Sequence, residues 1–426
     1  MGLYKHEQVR SVFLKKVLII TYSFPPLNSI ASRRYGEFSE YLNNDEWETH
    51  ILTTNSTGPL PVNLPEENIL RVGSNIQKGG AIIKYSGEKT IKQKLLTAKR
   101  QNGFNSRLVD RTYFSWFKKI SQSNIEILKH EEFDIIIASF GPGSALFLGD
   151  YLSRKLKVPW IADFRDLGAL HREKEFKKNI IFKLIDNILE RKILKKASAI
   201  ITVSDGLKEE LLRVYRKPVF TIYNGWKRSG EIKVDNNGYT TKPYIYYAGQ
   251  FYEHRLKGLF LLIKTLRDTE MNLKIRSLGP DEMNTKIMNY VEKMNLTERV
   301  ELLPPADPDI VKSESIQASI NLVLEDLDKT HVWKKGVLTG KFLSLLIEEP
   351  SILAIARDDS EIGKILINTG KGRLCSTEEQ IENYLTNEFL EEKSINYDEI
   401  ELYSKKNQSK NLLKLLDRYC EKNYEE

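Results

Sequence analysis

Short runs of aliphatic and β-branched residues alternate along this chain with stretches in which apolar residues return every three or four positions. Lys16–Thr21 (KVLIIT) is such a run, and Pro25-Pro26 follows soon after, so it predicts a buried strand that ends in a turn. Arg33–Leu42 sets Tyr35, Phe38, Tyr41 and Leu42 at helical spacing. The same reading gives strands over 49–54, 134–139, 160–163, 199–203 and 218–222, with helices over 116–130, 144–155, 179–195 and 205–215. In the second half it gives strands over 244–248, 273–277, 300–303, 320–324 and 352–355. The helices there fall at 259–267, 281–294, 307–317, 339–347 and 360–369. Strands that alternate with helices of about ten residues mean βαβ units and parallel sheets. Two such series predict two doubly wound domains whose strand ends and helix N-termini hold ligands.

The polar stretch 227–242, with Asp235-Asn236-Asn237-Gly238 inside it, reads as the linker. The expected organisation is a first domain over 1–226, the linker, a second domain over 243–393, and a helical tail over 394–426 that packs back on the body. A length of 426 residues suits two large domains or about three smaller ones. With 41% hydrophobic and 29% charged residues, the composition excludes collagen-like and broadly disordered classes. Cys375 and Cys420 are too few for a secreted disulfide framework and suit a reducing compartment. The uncharged run 135–149 falls short of the roughly 20 residues that cross a bilayer, and the first residues lack a signal-peptide core. The expectation is a cytoplasmic protein.

The net charge of +7 is modest, but it is concentrated. Between Lys78 and Lys119 there are eleven Lys or Arg against Glu88 and Asp110, with Tyr85, Phe104, Tyr113, Phe114, Trp116 and Phe117 interleaved. The plain reading is a solvated face. The sharper one is a patch for an anionic membrane surface or an acidic acceptor, which would make the protein peripheral at the inner face of the plasma membrane. Nucleic acid is not expected, because no RNA- or DNA-binding pattern accompanies the patch.

Four loops carry candidate chemistry. Gly141-Pro142-Gly143-Ser144 follows a strand and opens a helix; with Leu146 in place of a third glycine it fails the dinucleotide fingerprint. It is either a helix cap or a set of N–H donors for an anionic or hydroxylated ligand. Gly336-Val337-Leu338-Thr339-Gly340-Lys341 is one residue short of a P-loop and has Phe342 where a hydroxyl residue would hold magnesium. Glycine and Lys341 at a helix start nevertheless suit a diphosphate, against the plainer reading of an ordinary helix with a solvated lysine. Asp163-Phe164-Arg165-Asp166 lies at a strand's carboxyl end and is either a structural ion-pair set or the lining of a polyhydroxyl site. Asp307-Pro308-Asp309 and Asp326-Leu327-Asp328 spell Asp-x-Asp, but Asp307 reads as a helix cap. The histidines are scattered without ligand spacing, so no metal site is expected.

On these residues the chain resembles the GT-B glycosyltransferases of family 4, the retaining group that builds bacterial surface polysaccharides. The residues that carry the likeness are Lys16–Pro26, Ser32-Arg33-Arg34, Val158–Asp166 (VPWIADFRD), Ala197–Ser204, Asn224-Gly225, Gly340-Lys341 and Pro350–Ala354. The resemblance implies an α/β GT-B architecture: two doubly wound, Rossmann-like parallel-sheet domains facing a cleft, the acceptor held by the first and a nucleotide-sugar by the second. It implies transfer of a hexose-type unit from a UDP- or GDP-sugar, the co-substrate, to a glycan or lipid-linked acceptor, with retention and without metal or other cofactor. Asp163, Arg165, Asp166 and Lys341 are the implied catalytic set. Arg255 or Lys257, with Gly340, Lys341, Ser344 and Glu348, are implied for the donor. Asn28, Ser29, Arg33, Gly141 and Gly143 are implied for the acceptor side or cleft.

Two departures stand out. The family's first loop usually carries two glycines, where this chain has Asn28-Ser29. Its two glutamates, the second of which grips the ribose, are replaced by Gly336 and Ser344. Glu348 lies four residues beyond Ser344, on the same face if the helix continues, and is the candidate substitute. Losing a bidentate ribose contact costs on the order of a few kcal/mol of donor affinity. The alternatives are a non-catalytic GT-B partner in a synthase complex and a sugar-nucleotide epimerase, for which the chain offers no acid/base pair.

Overall fold

The computed structural model describes residues 14–74, 116–168, 180–228, 243–330, 332–390 and 394–421. Most of the basic segment 78–119, most of the linker 227–242, His171 and His331 lie outside these residues. The described residues form two compact units. One holds those up to Val203, Glu210–Ile222 and those from Ser409 on; the other holds Ser204–Glu209 and Tyr223–Gln408.

The first unit is built on seven parallel strands. They are β1 (Lys15–Ile20), β2 (Trp47–Asn55), β3 (Ile69–Ser74), β4 (Ile135–Ser139), β5 (Trp160–Phe164), β6 (Ala199–Thr202) and β7 (Val219–Thr221), in the order β3-β2-β1-β4-β5-β6-β7. Val17 sits opposite Thr49 on one side and Ile135 on the other. Helices cover both faces, so the central strands are apolar throughout instead of alternating; β4 and β5 are buried at every position. Val17, Ile19, Tyr35, Phe38, Trp47, Ile137 and Ile161 form much of the core. The last helix, Lys405–Glu421, adds Leu412, Leu415, Leu416 and Tyr419 to it, and Asp417 takes hydrogen bonds from Lys15 (2.5 Å) and the Trp47 indole (3.3 Å).

The second unit repeats the plan with six strands, β8 (Tyr244–Gly249), β9 (Asn272–Ser277), β10 (Val300–Leu303), β11 (Ile320–Leu324), β12 (Ser351–Ile355) and β13 (Gly372–Cys375). Their order is β10-β9-β8-β11-β12-β13, again parallel. Counted within each unit, both orders begin 3-2-1-4-5-6. The connections reverse direction between β1 and β4 and between β8 and β11, which opens a crevice at the carboxyl ends of those strands.

The pattern analysis missed β3, β13 and the helix Glu378–Thr386. Both strands lie at or next to an edge and carry arginines (Arg71, Arg373) that break the apolar run. The helix expected over 339–347 is shorter, Gly340–Leu345.

A buried ion cluster holds one corner of the second sheet. Glu314 is met by Arg276 (2.7 Å), Lys274 (2.9 Å) and the Tyr246 hydroxyl (2.8 Å). Burial works to raise its carboxyl, but these donors outweigh it and hold the group down to about 2. A depressed carboxylate stabilises the fold above its unfolded value and loses that contribution as pH falls through the folded one. Glu314→Gln should therefore cost about 1–2 kcal/mol at pH 7, the full shift being reduced by solvent screening. Urea unfolding of both proteins checks this, with the gap shrinking as pH drops from 5 to 2.

Candidate functional site

In the first unit the family-like segment closes on Asp163, at the end of β5. Its carboxylate accepts from Arg34 Nε (3.1 Å) and Nη2 (3.0 Å), from the Tyr35 hydroxyl (2.8 Å) and from Ser139 Oγ (2.9 Å). Arg34 also donates to the Ile222 carbonyl at 3.2 Å and lies against the Phe38 ring. Asp163 is 0% exposed. Burial opposes the Arg34 charge, yet Asp163 keeps that guanidinium above its ordinary value. Burial and Asp163 together push the Tyr35 phenol far up. The expected catalytic carboxylate is thus enclosed and fully used, tying the helix Ile30–Leu42 to β4 and β5.

Arg165 and Gly141 come together. Arg165 Nη2 donates to the Phe140 carbonyl at 3.2 Å, and a Cβ on Gly141, whose φ is +117°, would lie 2.6 Å from that nitrogen. Arg165 Nε is buried without a hydrogen-bond partner, and burial pulls the guanidinium below its ordinary value. Gly143 precedes the helix Ser144–Leu156 as its cap residue, and Asp166 is exposed. Ser29 has become a helix cap: its Oγ accepts from Ser32 N at 3.1 Å, while Asn28 Oδ1 takes a 3.3 Å bond from Arg33.

The second unit's crevice gathers a different set. Lys341 Nζ donates to the Ala248 carbonyl at the end of β8. Burial around its ammonium, with the neighbouring Arg255 charge, draws Lys341 down to about 8, although the residue is exposed overall. Arg255, on the helix Glu253–Thr265, reaches Glu325 at the end of β11 (3.1 Å) and the Gln250 carbonyl (3.4 Å). Its Nε is buried with no partner. Glu325 is 7% exposed, and burial lifts its carboxyl to about 7 against the pull of Arg255. Gly249 fits here because a Cβ would stand 3.2 Å from both Lys341 Nζ and the Tyr247 hydroxyl. Beside Gly340 the space is open. Arg255 and Lys341 thus stand near each other, the carboxylate that meets Arg255 is lifted toward neutrality by burial, and the adjacent Asp326 is paired with Lys334; two neighbouring cations of this kind suit an anion with several oxygens. Pattern reading missed Glu325, because nothing in an isolated Glu-Asp pair says that burial will neutralise it.

Three of the donor candidates lie elsewhere. Lys257 is turned to a groove between the helices Glu253–Thr265 and Asp281–Lys293, where the Phe260 and Tyr290 rings stack at 4.2 Å. Ser344 is exposed. Glu348 is not on Ser344's helix, which ends at Leu345; it sits at the amino end of β12, where its carbonyl accepts from Lys371 Nζ and burial raises its carboxyl. At Gly336 a Cβ would lie 2.6 Å from Leu207 N and 2.7 Å from the Gly206 Cα, so backbone fills the place of a side chain. The Glu361 carboxylate fixes that backbone, accepting from Asp205 N (3.0 Å) and Gly206 N (2.8 Å). The two Asp-x-Asp segments are placed differently. Asp326 bonds Lys334 (2.6 Å) and Asp328 N (2.9 Å), and Asp307 makes no side-chain cap bond. Among the described residues no cluster of metal-binding side chains occurs.

Residues 31–227 match the family model described as Glycosyltransferase Family 4. The fold is similar to that of a Rickettsia africae glycosyltransferase (TM-score 0.60, 13% identity, 95% of this chain and 98% of the other). It is also similar to sucrose-phosphate synthase from Thermosynechococcus elongatus (0.58, 12%, 95% and 98%). A third likeness is to Anabaena HepE solved with UDP and glucose (0.55, 11%, 95% and 100%). No curated protein compared matches the sequence. The two doubly wound units are those of a GT-B fold.

Asp163→Asn should destabilise the protein by about 3–5 kcal/mol, since it strips charge from a buried pair and leaves Arg34 uncompensated. The exposed Asp166→Asn should stay within about 0.5 kcal/mol. Equilibrium unfolding of the two variants side by side is the measurement.

Proposed function

We propose that this GT-B chain transfers a hexose-type sugar from a UDP- or GDP-sugar to a glycan or lipid-linked acceptor, a reading supported by the match of residues 31–227 to the Glycosyltransferase Family 4 model. The proposed setting is surface-polysaccharide synthesis. The carrying observation is the pair Arg255 and Lys341 at the reversal point between β8 and β11, beside open space at Gly340. The Anabaena HepE structure with UDP and glucose supports a nucleotide-sugar as co-substrate.

In this reading the diphosphate oxygens replace Glu325 at Arg255 and the Ala248 carbonyl at Lys341. The orphaned Arg255 Nε gains an acceptor. As the bond between the anomeric carbon and the diphosphate oxygen breaks, both cations neutralise the charge that collects on the leaving group. The acceptor hydroxyl bonds to the anomeric carbon on the face the diphosphate leaves, and its proton passes to that diphosphate. This retains configuration and needs no metal. The first unit would hold the acceptor, with Arg165 and Gly141 at its strand ends and Asp163 as their support. Gly336 and Ser344 cannot grip the ribose, so affinity rests on the diphosphate contacts.

Lys341→Ala should weaken UDP or GDP binding at least tenfold, as expected for the loss of a charge-assisted contact. Lys257→Ala should leave it unchanged; titration calorimetry measures both. Equal affinities for wild type and Lys341→Ala would remove the assigned role. An anion favours the ammonium form, so affinity should be full below pH 8 and fall as pH rises through Lys341's value of about 8. Binding at pH 8 should then take up protons, which shows as a heat that varies with the buffer's ionisation enthalpy.

A second reading, a non-catalytic GT-B partner, is favoured by the closed backbone at Gly336. Tight nucleotide binding with no sugar release from any donor in the presence of acceptor glycans would support it over the transferase.

A further inference from the structure

The helix Ile180–Leu194 in the first unit is turned inside out. Its inward face carries Asp186 (2% exposed) and Glu190 (0%) beside Ile193 and Leu194, while Leu184 (55%), Ile185 (39%) and Ile188 (63%) face solvent. Inside, Glu190 accepts from the Tyr215 hydroxyl, and Gly168 leaves room for it, since a Cβ there would stand 2.5 Å from its Oε2. The carboxylates are thus withdrawn and the aliphatic side chains exposed. Isolated exposed apolar residues are ordinary; three within two turns of one helix face are not.

Among the described residues, the exposed charges that continue this face are cationic. Arg191, Lys192 and Lys195 continue the face at positions three, four and seven beyond Ile188, are exposed, and have no acidic partner among the described residues. The helix Ser144–Leu156, packed against this one, brings Asp150, already bound to Arg154 (3.0 Å) and Lys196 (3.7 Å), and the cation Lys155. An aliphatic ridge with a cationic end and no free acid matches the interface of an anionic bilayer, where alkyl groups enter the acyl boundary and basic groups stay among the headgroups. A water-facing helix would reverse the burial pattern, and a solvated basic face would not expose the aliphatics.

We propose that the helix Ile180–Leu194 docks the protein on anionic lipid surfaces, with Leu184, Ile185 and Ile188 inserting and Arg191, Lys192 and Lys195 meeting the headgroups. The inference does not depend on the donor site, which lies in the other unit. The full chain is mixed with vesicles of phosphatidylcholine containing phosphatidylglycerol and sedimented, and Ile188→Glu and Lys192→Glu are compared with wild type. UDP affinity and thermal unfolding serve as controls for folding. Wild type should bind, less at high salt and less as phosphatidylglycerol is withdrawn. Ile188→Glu should lower the partition coefficient about tenfold or more, and Lys192→Glu several-fold, with the controls unchanged. In Ile188→Trp, emission should shift to the blue on binding and be quenched by brominated lipid. The proposal is overturned by absent binding, by equal binding of wild type and Ile188→Glu, or by an unquenched Trp. An Ile188-dependent dimer in sedimentation velocity would also overturn it, by assigning the face to a second copy.

Discussion

Lys341 holds its ammonium against a main-chain carbonyl beside a second cation, Arg255. The Arg255 charge works against that of Lys341, and the acid that meets Arg255, Glu325, is itself lifted toward neutrality by burial. A site built this way is short of negative charge, and it gains most from a ligand that supplies several anionic oxygens at once. The strand order gives the place for it: the order turns back between β8 and β11, the position at which doubly wound sheets hold ligands at their carboxyl ends.

The first unit solves the opposite problem. Asp163 is also a carboxylate at a strand's carboxyl end, but four donated hydrogen bonds satisfy it completely. A group so satisfied and enclosed is poorly placed to reach a substrate, and well suited to fix what surrounds it. Its neighbour Arg165 keeps an unpaired Nε at the same edge. One short segment therefore contains a structural acid and a cation with unused capacity, two residues apart.

The architecture was legible in the chain because buried parallel strands must be apolar throughout and their covering helices amphipathic. Lys16–Thr21, Asp134–Ser139 and Ile320–Leu324 show the first pattern plainly. β3 and β13 escaped notice for the converse reason: at or near the sheet edges, Arg71 and Arg373 interrupt the run. The glycine-lysine context singles out Lys341 as a candidate from sequence alone. Glu348 was misplaced by assuming a helix that continues past Leu345, where the chain instead turns toward β12.

What the amino-acid order determined by itself was the kind of layers, the presence of two sheets, and the list of charged residues that could matter. Periodicity and residue type are local, and they act over a few positions. Which of Arg255 and Lys257 turns toward Lys341, why Gly336 can carry no side chain, and how Glu325 is pushed toward neutrality were decided only in three dimensions. Each depends on groups far apart in the chain, such as Gly206 against Gly336, and on how much water their packing leaves between them.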